Sequence, residues 1–318
     1  MSRMERVCLV GGSGFVGRHI AERLAARGVQ VVIPTRNRER AKPDLIVLPG
    51  VELVGADVND PVVLARLVTG CDAVVNLVGL LHESRTGDFR RAHVALTEQC
   101  IEACRQQGVG RYLHMSALGA GTDAPSEYQR TKGEAEQRVA AAQAAGLATT
   151  VFRPSVIFGD GDSFLTLFAR LLALSPFVPL GSPGARFQPV WVEDVADAFI
   201  ASLERPETIG QSYDLVGPDV FTLEQLVRLV GRVTGHERPV IGLPDGLSRL
   251  QALLFGLLPV KLITYDNYLS MTVDNVSSAP WPPVFGRAPS ALEPIARQYL
   301  GNATPRGRYM AFRYRAGR

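Results

Sequence analysis

Val7-Cys8-Leu9-Val10-Gly11-Gly12-Ser13-Gly14-Phe15-Val16-Gly17 is the stretch on which the reading of the whole chain turns. Its first four residues form an apolar run of strand length. A glycine-rich turn follows. Beyond it Val16, Ile20 and Leu24 recur on one face of a helical pattern, with small Ala21, Ala25 and Ala26 between them. Strand, glycine turn and helix in this order are the first unit of a dinucleotide-binding fold. Gly11 lets the chain turn sharply, Gly14 lets backbone approach a pyrophosphate, and Gly17 lets the helix pack closely. The phosphates would sit at the helix N-terminus, where unpaired N–H groups and the helix dipole favour negative charge. Gly11, Ser13, Gly14, Phe15, Val16 and Gly17 are therefore expected around the nucleotide. The spacing is G-x-x-G-x-x-G, and its flanking strand and helix supply the context such a motif needs.

Downstream, strands alternate with helices. Strands are expected at Gln30 to Pro34, Val51 to Val54, Ala73 to Val78 and Tyr112 to Met115. Helices are expected at Asp60 to Val68, Phe89 to Gln107 and Ser126 to Ala145. This rhythm predicts a Rossmann-type α/β fold, a doubly wound parallel sheet with a smaller mixed α/β C-terminal lobe. The expected division is 1–158 for the nucleotide domain, its sheet completed by strands near 186–215. A smaller lobe at 159–303 and a tail at 304–318 follow. Ligands of such sheets bind at the C-terminal ends of the strands.

Several residues fall on that edge. Thr35 and Arg36 follow the second strand, where NAD-binding folds carry an acidic residue for the ribose 2′-hydroxyl. An arginine there accommodates a 2′-phosphate, so NADP(H) is favoured over NAD(H). Arg38, Arg40 and Lys42 leave open a plain solvated basic loop. Asp57 and Val58 end the third strand, within reach of the adenine, although Asp57 could instead cap the next helix. Leu77, Val78 and Gly79 end the fourth, and Gly79 would let backbone approach the cofactor.

The fifth strand ends at Ser116. Tyr128 and Lys132 stand four apart on the helix that follows, one turn from each other on one face. A phenol near pKa 10 is a poor acid or base at neutral pH. A neighbouring ammonium favours the phenolate. A serine hydroxyl can hold the substrate oxygen that gains or loses the proton, and Lys132 can also hold the nicotinamide ribose. Ser116, Tyr128 and Lys132 thus suit hydride transfer at an alcohol or ketone carbon.

With these residues the chain resembles the short-chain dehydrogenase/reductase superfamily, in its extended or atypical branch, over roughly residues 5 to 300. Gly11/Gly14/Gly17, Asp57, Asn76 to Gly79, Ser116, Tyr128 and Lys132 carry the resemblance. So do Arg153-Pro154-Ser155-Val156-Ile157-Phe158-Gly159 and Gln188 to Ala196. The resemblance implies that Pro154, Ser155 and Val156 flank the nicotinamide. The stretches Phe89 to Val94, Leu113 to Ala120, Phe152 to Gly159 and Arg186 to Val195 are similar to the nucleotide-binding accessory subunit of respiratory complex I and its bacterial relatives. That implies tightly held NADPH of structural role, and a related branch implies quinone biosynthesis. His93 departs from sugar-modifying relatives, which carry Asn there, and this weakens a transfer of their chemistry.

The C-terminal lobe is irregular. Phe164 to Leu174 is strongly apolar, and Thr222 to Thr234 reads as an amphipathic helix with a Thr222/Gln225 capping box. Leu247 to Leu258 reads as another apolar helix. These helices either pack the lobe's own core or offer a greasy surface to a quinone-like or other apolar small molecule, or to a membrane. Arg306, Arg308, Arg313, Arg315 and Arg318, interleaved with Tyr309, Phe312 and Tyr314, suit an anionic membrane surface or an acidic partner, or make a solubilising tail.

Composition sets bounds. Hydrophobic residues make 46% of 318, and a net charge of +3 gives no sign of a nucleic-acid partner. Cys8, Cys71, Cys100 and Cys104 show no C-x-x-C spacing and read as reduced core thiols, with no metal site expected. Met1 to Arg6 is charged and no signal peptide is expected. The longest uncharged run, Leu171 to Ala185, holds three prolines. A cytoplasmic protein is expected, peripheral at the inner face of the membrane if the tail binds there. Two functional readings stay open: an NADP(H)-dependent oxidoreductase, and a nucleotide-loaded accessory or assembly protein of respiratory, quinone-linked membrane metabolism. A sugar-nucleotide epimerase or dehydratase and a quinone-biosynthesis reductase are the alternatives.

Overall fold

A computed structural model of the chain describes residues 4–256 and 263–301. The basic aromatic tail, 304–318, lies outside the described residues, as do Leu257 and Leu258. The chain divides into two compact units. The first gathers the described residues of Met1–Pro154, Val192–Leu215 and Ala279–Arg287. The second gathers those of Ser155–Trp191, Val216–Ser278 and Ala288–Arg318. The division falls at Pro154, four residues before the expected 158, and two later segments return to the first unit.

The first unit is built on seven strands. They are β1 (Arg6–Val10), β2 (Gln30–Thr35), β3 (Val51–Gly55), β4 (Ala73–Asn76), β5 (Arg111–Met115), β6 (Ala148–Pro154) and β7 (Gln211–Leu215). Every neighbouring pair is parallel, in the order β3-β2-β1-β4-β5-β6-β7. Val7 to Val10, Val31 to Ile33 and Ala73 to Val75 are fully buried, as strands covered on both faces must be. The order reverses between β1 and β4, and that switch point is where such sheets take their ligands. β4 stops at Asn76, two residues short of the expected Val78. Asn76 is the reason: its Oδ1 accepts from Val78 N at 3.1 Å and turns the chain out of the sheet.

Helices α1 (Phe15–Ala26), α2 (Arg38–Leu45), α3 (Pro61–Val68), α4 (Leu96–Gln107), α5 (Glu127–Ala144) and α6 (Val192–Glu204) belong to this unit. Asp60, not Asp57, caps α3, accepting from Val62 N and Val63 N. The expected helix from Phe89 to Gln107 is not uniform. A short helical turn, Asp88–Arg90, passes into a π-helical turn, Arg91–Ala95, before α4 begins. The four cysteines are free and share one buried cluster with Val10, Leu64, Val74 and Tyr112. Burial pushes their thiols up, so they are packing groups and poor nucleophiles.

In the second unit, three two-stranded ladders accompany helices. Ile157–Phe158 pairs parallel with Val190–Trp191, Val178–Leu180 parallel with Val240–Gly242, and Arg186–Phe187 antiparallel with Phe221–Thr222. Helices Phe164–Leu174 and Leu223–Thr234 fill its core together with Leu292, Ala296 and Leu300. The Thr222/Gln225 capping box is formed. Helix Asp245–Gly256 differs. Leu247, Leu250, Leu253 and Leu254 are about half exposed, and only Ser248 and Ala252 are buried, so this helix does not pack the core with its leucines. Among the described residues no helix is long and apolar enough to cross a membrane.

Candidate functional site

The glycine turn stands at the switch point. Gly11 has φ +84, a left-handed conformation natural to glycine, and a Cβ there would lie 3.1 Å from Val78 N. Its small size therefore brings the turn after β1 against the chain leaving β4. A Cβ on Gly17 would come within 2.5 Å of Gly12. Gly17 thus packs α1 onto the turn itself, with Gly12 as its partner. Gly14 occupies the N-cap of α1 with no side-chain cap. The N-cap residue thus offers no side-chain acceptor to the first N–H groups of the helix, those of Phe15, Val16 and Gly17, an arrangement that suits a phosphate. Ser13 Oγ lies 3.5 Å from Thr35 Oγ1.

Lys132 lies at the centre of the second cluster. It is 1% exposed, and its Nζ donates to Met115 O at 2.8 Å and to Val78 O at 3.3 Å. It therefore joins the ends of β4 and β5. An ammonium has three donors, of which these carbonyls take two. Burial pushes its pKa down to about 8, against a smaller upward pull from Glu136, so it remains charged at neutral pH. A Cβ on Gly79 would stand 3.6 Å from Nζ. Ser116 follows Met115 directly and is buried, and its Oγ has no hydrogen-bond partner among the described residues. Tyr128 is half-buried one turn before Lys132, its ring edge-on to Phe89 and His93, with centroids 5.8 and 5.4 Å away.

What brings α5 here is another glycine. A Cβ on Gly133 would fall within 2.6 Å of the Gly121 backbone, so the helix lies directly on the loop after β5. Gly121 N donates to Gln129 O at 3.2 Å, and Ser126 caps the helix through Gln129 N. A glycine inside a helix costs about 0.5–1 kcal/mol relative to alanine. That cost, one residue after Lys132, is the signal by which Gly133 could have been singled out.

His93 sits in the π-helical turn, fully buried. Its Nε2 is 3.2 Å from Leu80 N and its Nδ1 is 2.9 Å from Thr131 Oγ1. On β5, His114 is buried beside Tyr112, whose hydroxyl accepts from Asn76 Nδ2 at 3.1 Å. Burial and the charge of Lys132 hold His93 near pKa 2 and His114 near 3, so both rings are neutral.

Of the other expected residues, Val78 meets this cluster through its carbonyl. Arg36 is exposed after β2. Asp57 accepts from Asn59 N at 3.0 Å and Asn59 Nδ2 at 2.7 Å. Those bonds, with a smaller contribution from Arg36, hold its carboxyl below the ordinary range. Asp57 thus orders its own turn and faces a positive neighbour. Val58 is half-buried next to it. Leu77 and Val78 form the exit from β4. Pro154 ends β6, and its carbonyl accepts from Leu118 N at 2.9 Å. Ser155 and Val156 belong to the second unit. There Ser155 Oγ donates to Asn275 Oδ1 at 2.6 Å, and Val156 N donates to the same oxygen at 3.2 Å. The Ser155 hydroxyl is therefore engaged in tying its loop to Asn275. Among the described residues no group of His, Cys, Asp or Glu could hold a metal ion.

The chain is similar to known proteins in sequence and in fold. The chain is 29% identical over 283 residues to NADH dehydrogenase [ubiquinone] 1 alpha subcomplex subunit 9 of Arabidopsis thaliana, a match spanning 84% of this chain and 70% of the relative. It is 35% identical over 257 residues to 2-alkyl-3-oxoalkanoate reductase of Stenotrophomonas maltophilia, spanning 73% and 77%. In fold it is similar to a nucleoside-diphosphate-sugar epimerase from Staphylococcus aureus. That likeness has a TM-score of 0.71 and 18% identity, and covers 92% of this chain and 99% of the other. The sequence profile of one family matches residues 7–216, from β1 to just past β7. By that match, and by the glycine turn and parallel sheet within it, the chain belongs to the NAD dependent epimerase/dehydratase family.

Proposed function

We propose that the protein is an NADP(H)-dependent reductase of an apolar carbonyl compound. The observation that carries this reading is the buried Lys132 ammonium, fixed by Val78 O and Met115 O one helical turn from Tyr128 and next to Ser116. A charge is costly to bury. One helical turn from Tyr128, this charge would favour a phenolate and hold a ribose, which would give the cost a use. Bound NADPH would supply the hydride. Tyr128 gives its proton to the carbonyl oxygen, Ser116 Oγ holds that oxygen, and Lys132 orients Tyr128 and the ribose. The overall reaction would be ketone, NADPH and a proton to alcohol and NADP+. Gly11 to Gly17 would cradle the pyrophosphate, Asp57 and Val58 the adenine, and Leu77, Val78, Gly79 and Pro154 the nicotinamide half. The kinship to an alkyl-oxoalkanoate reductase supports a keto group beside an alkyl chain.

Arg36 supports NADP(H) over NAD(H), since it adds positive charge at the end of β2. A charged hydrogen bond to a 2′-phosphate is worth about 1.5–3 kcal/mol. Arg36→Asp is expected to shift the ratio of NADPH to NADH affinities at least about tenfold toward NADH. Titration of both nucleotides into the variant measures this, and an unchanged ratio would sink the assignment.

A second reading is favoured by the Arabidopsis relative, whose match spans most of this chain. In it the nucleotide is a fixed part of an accessory protein, peripheral to a respiratory membrane complex. One experiment separates the two. The nucleotide released from purified protein is identified, and its fluorescence is followed while quinones and 3-oxo acids are added. The reductase predicts bound NADPH whose fluorescence decays with one of these. NADPH that no carbonyl oxidises would favour the accessory reading.

A further inference from the structure

His93 is tied to both the loop after β4 and the helix that carries Tyr128. Leu80 N has only a proton to offer, so Nε2 of His93 accepts it, at 3.2 Å. A neutral imidazole then carries its proton on Nδ1. Nδ1–H points at Thr131 Oγ1, 2.9 Å away. The Thr131 hydroxyl in turn donates to Glu127 O at 2.9 Å, inside α5. Each polar atom in this row has its partner, and each donor faces an acceptor. Phe89 stacks on the imidazole at 5.5 Å, and the Tyr128 ring meets it nearly at right angles, at 85°. The π-helical turn is the local device. Its wider ring of backbone hydrogen bonds inserts one extra residue, a distortion that recurs at functional sites.

We propose that His93 is a positioning residue of fixed tautomer, which locks the loop after β4 to α5 and sets the ring of Tyr128. It rests on the reductase reading above. Two successive residues of α5 grip that loop with opposite polarity. Lys132 donates to Val78 O, while Thr131, through His93, receives the N–H of Leu80. The loop and the tyrosine are thereby held in one register. Both ring nitrogens are committed, so His93 passes no proton to substrate. Burial and the neighbouring Lys132 and His114 keep the ring neutral, the only form in which Nε2 can accept.

Nitrogen-15 NMR of the histidine rings in the full chain tests the proposal without any substrate. The expected His93 signal is that of the Nδ1–H tautomer, unchanged from pH 5 to pH 9. An Nε2–H tautomer, or titration within that range, overturns the clamp. Kinetics give the second arm. His93→Leu is expected to lower kcat about tenfold to a hundredfold with KM little changed, as a misplaced catalytic group does. His93→Gln keeps an acceptor near the position of Nε2, so it should recover most of the loss, and it serves if the leucine variant fails to fold. Wild-type kcat in His93→Leu, or no recovery in His93→Gln, counts against the proposal. If wild-type protein reduces no carbonyl compound, the reductase reading falls, and the NMR result still decides the clamp.

Discussion

Tyr128→Phe is expected to lower kcat for carbonyl reduction by about 10²- to 10⁴-fold, the usual contribution of a positioned general acid. The substitution removes one hydroxyl. The ring keeps its edge-on contacts with His93 and Phe89, so the fold and the position of α5 should hold. Dinucleotide affinity should change less than about threefold, because the proton is transferred only in the chemical step. Stopped-flow turnover of bound NADPH and a parallel nucleotide titration give the two numbers. A variant that reduces substrate at the wild-type rate would remove Tyr128 from the chemistry.

The second large effect is on stability. Lys132 has a folded pKa of about 8 against an ordinary value of 10.5. Its charged form is disfavoured by burial, so at pH 7, where it is protonated in both states, it costs stability. Between pH 8 and 10.5 the unfolded chain holds the proton more tightly than the folded one, so unfolding free energy rises with pH in this window. The total is about 3 kcal/mol by order of magnitude. In the nucleotide-free protein, the stability difference between wild type and Lys132→Met should shift by about this much in favour of wild type from pH 7 to pH 10.5. Urea unfolding of both proteins across that range measures it, and a difference that stays flat would show that Lys132 is not desolvated. The same variant should lose turnover, since it removes the charge beside Tyr128.

These two experiments address the tension in the site. An ammonium buried without a carboxylate hydrogen-bonded to it is costly, and well-packed cores avoid it. Here the two carbonyls at the strand ends stabilise it in part. A bound nucleotide diphosphate would add negative charge nearby and raise the Lys132 pKa. The pH-dependent gain in stability should therefore shrink when NADPH is present, a control that links the group to the ligand.

Residues near in sequence carried most of what could be read from the chain alone. Val7 to Gly17 specify strand, turn and helix because apolar periodicity and glycine freedom act locally along the chain. Tyr128 and Lys132 share a face because a helix turns every 3.6 residues. The parallel sheet follows from the alternation of such units. The tertiary structure decided which distant groups meet. Lys132 reaches a carbonyl 54 residues away, and His93 joins Leu80 to Thr131, because the crossover connections place β4, β5 and α5 side by side. Gly12 and Gly133 matter only through backbone that comes within van der Waals distance in the folded chain. The Ser155 hydroxyl meets Asn275, 120 residues on, for the same reason. Spacing along the chain encodes the elements. Their mutual placement depends on burying apolar surface and pairing polar groups across the whole sheet, and no local stretch contains that information.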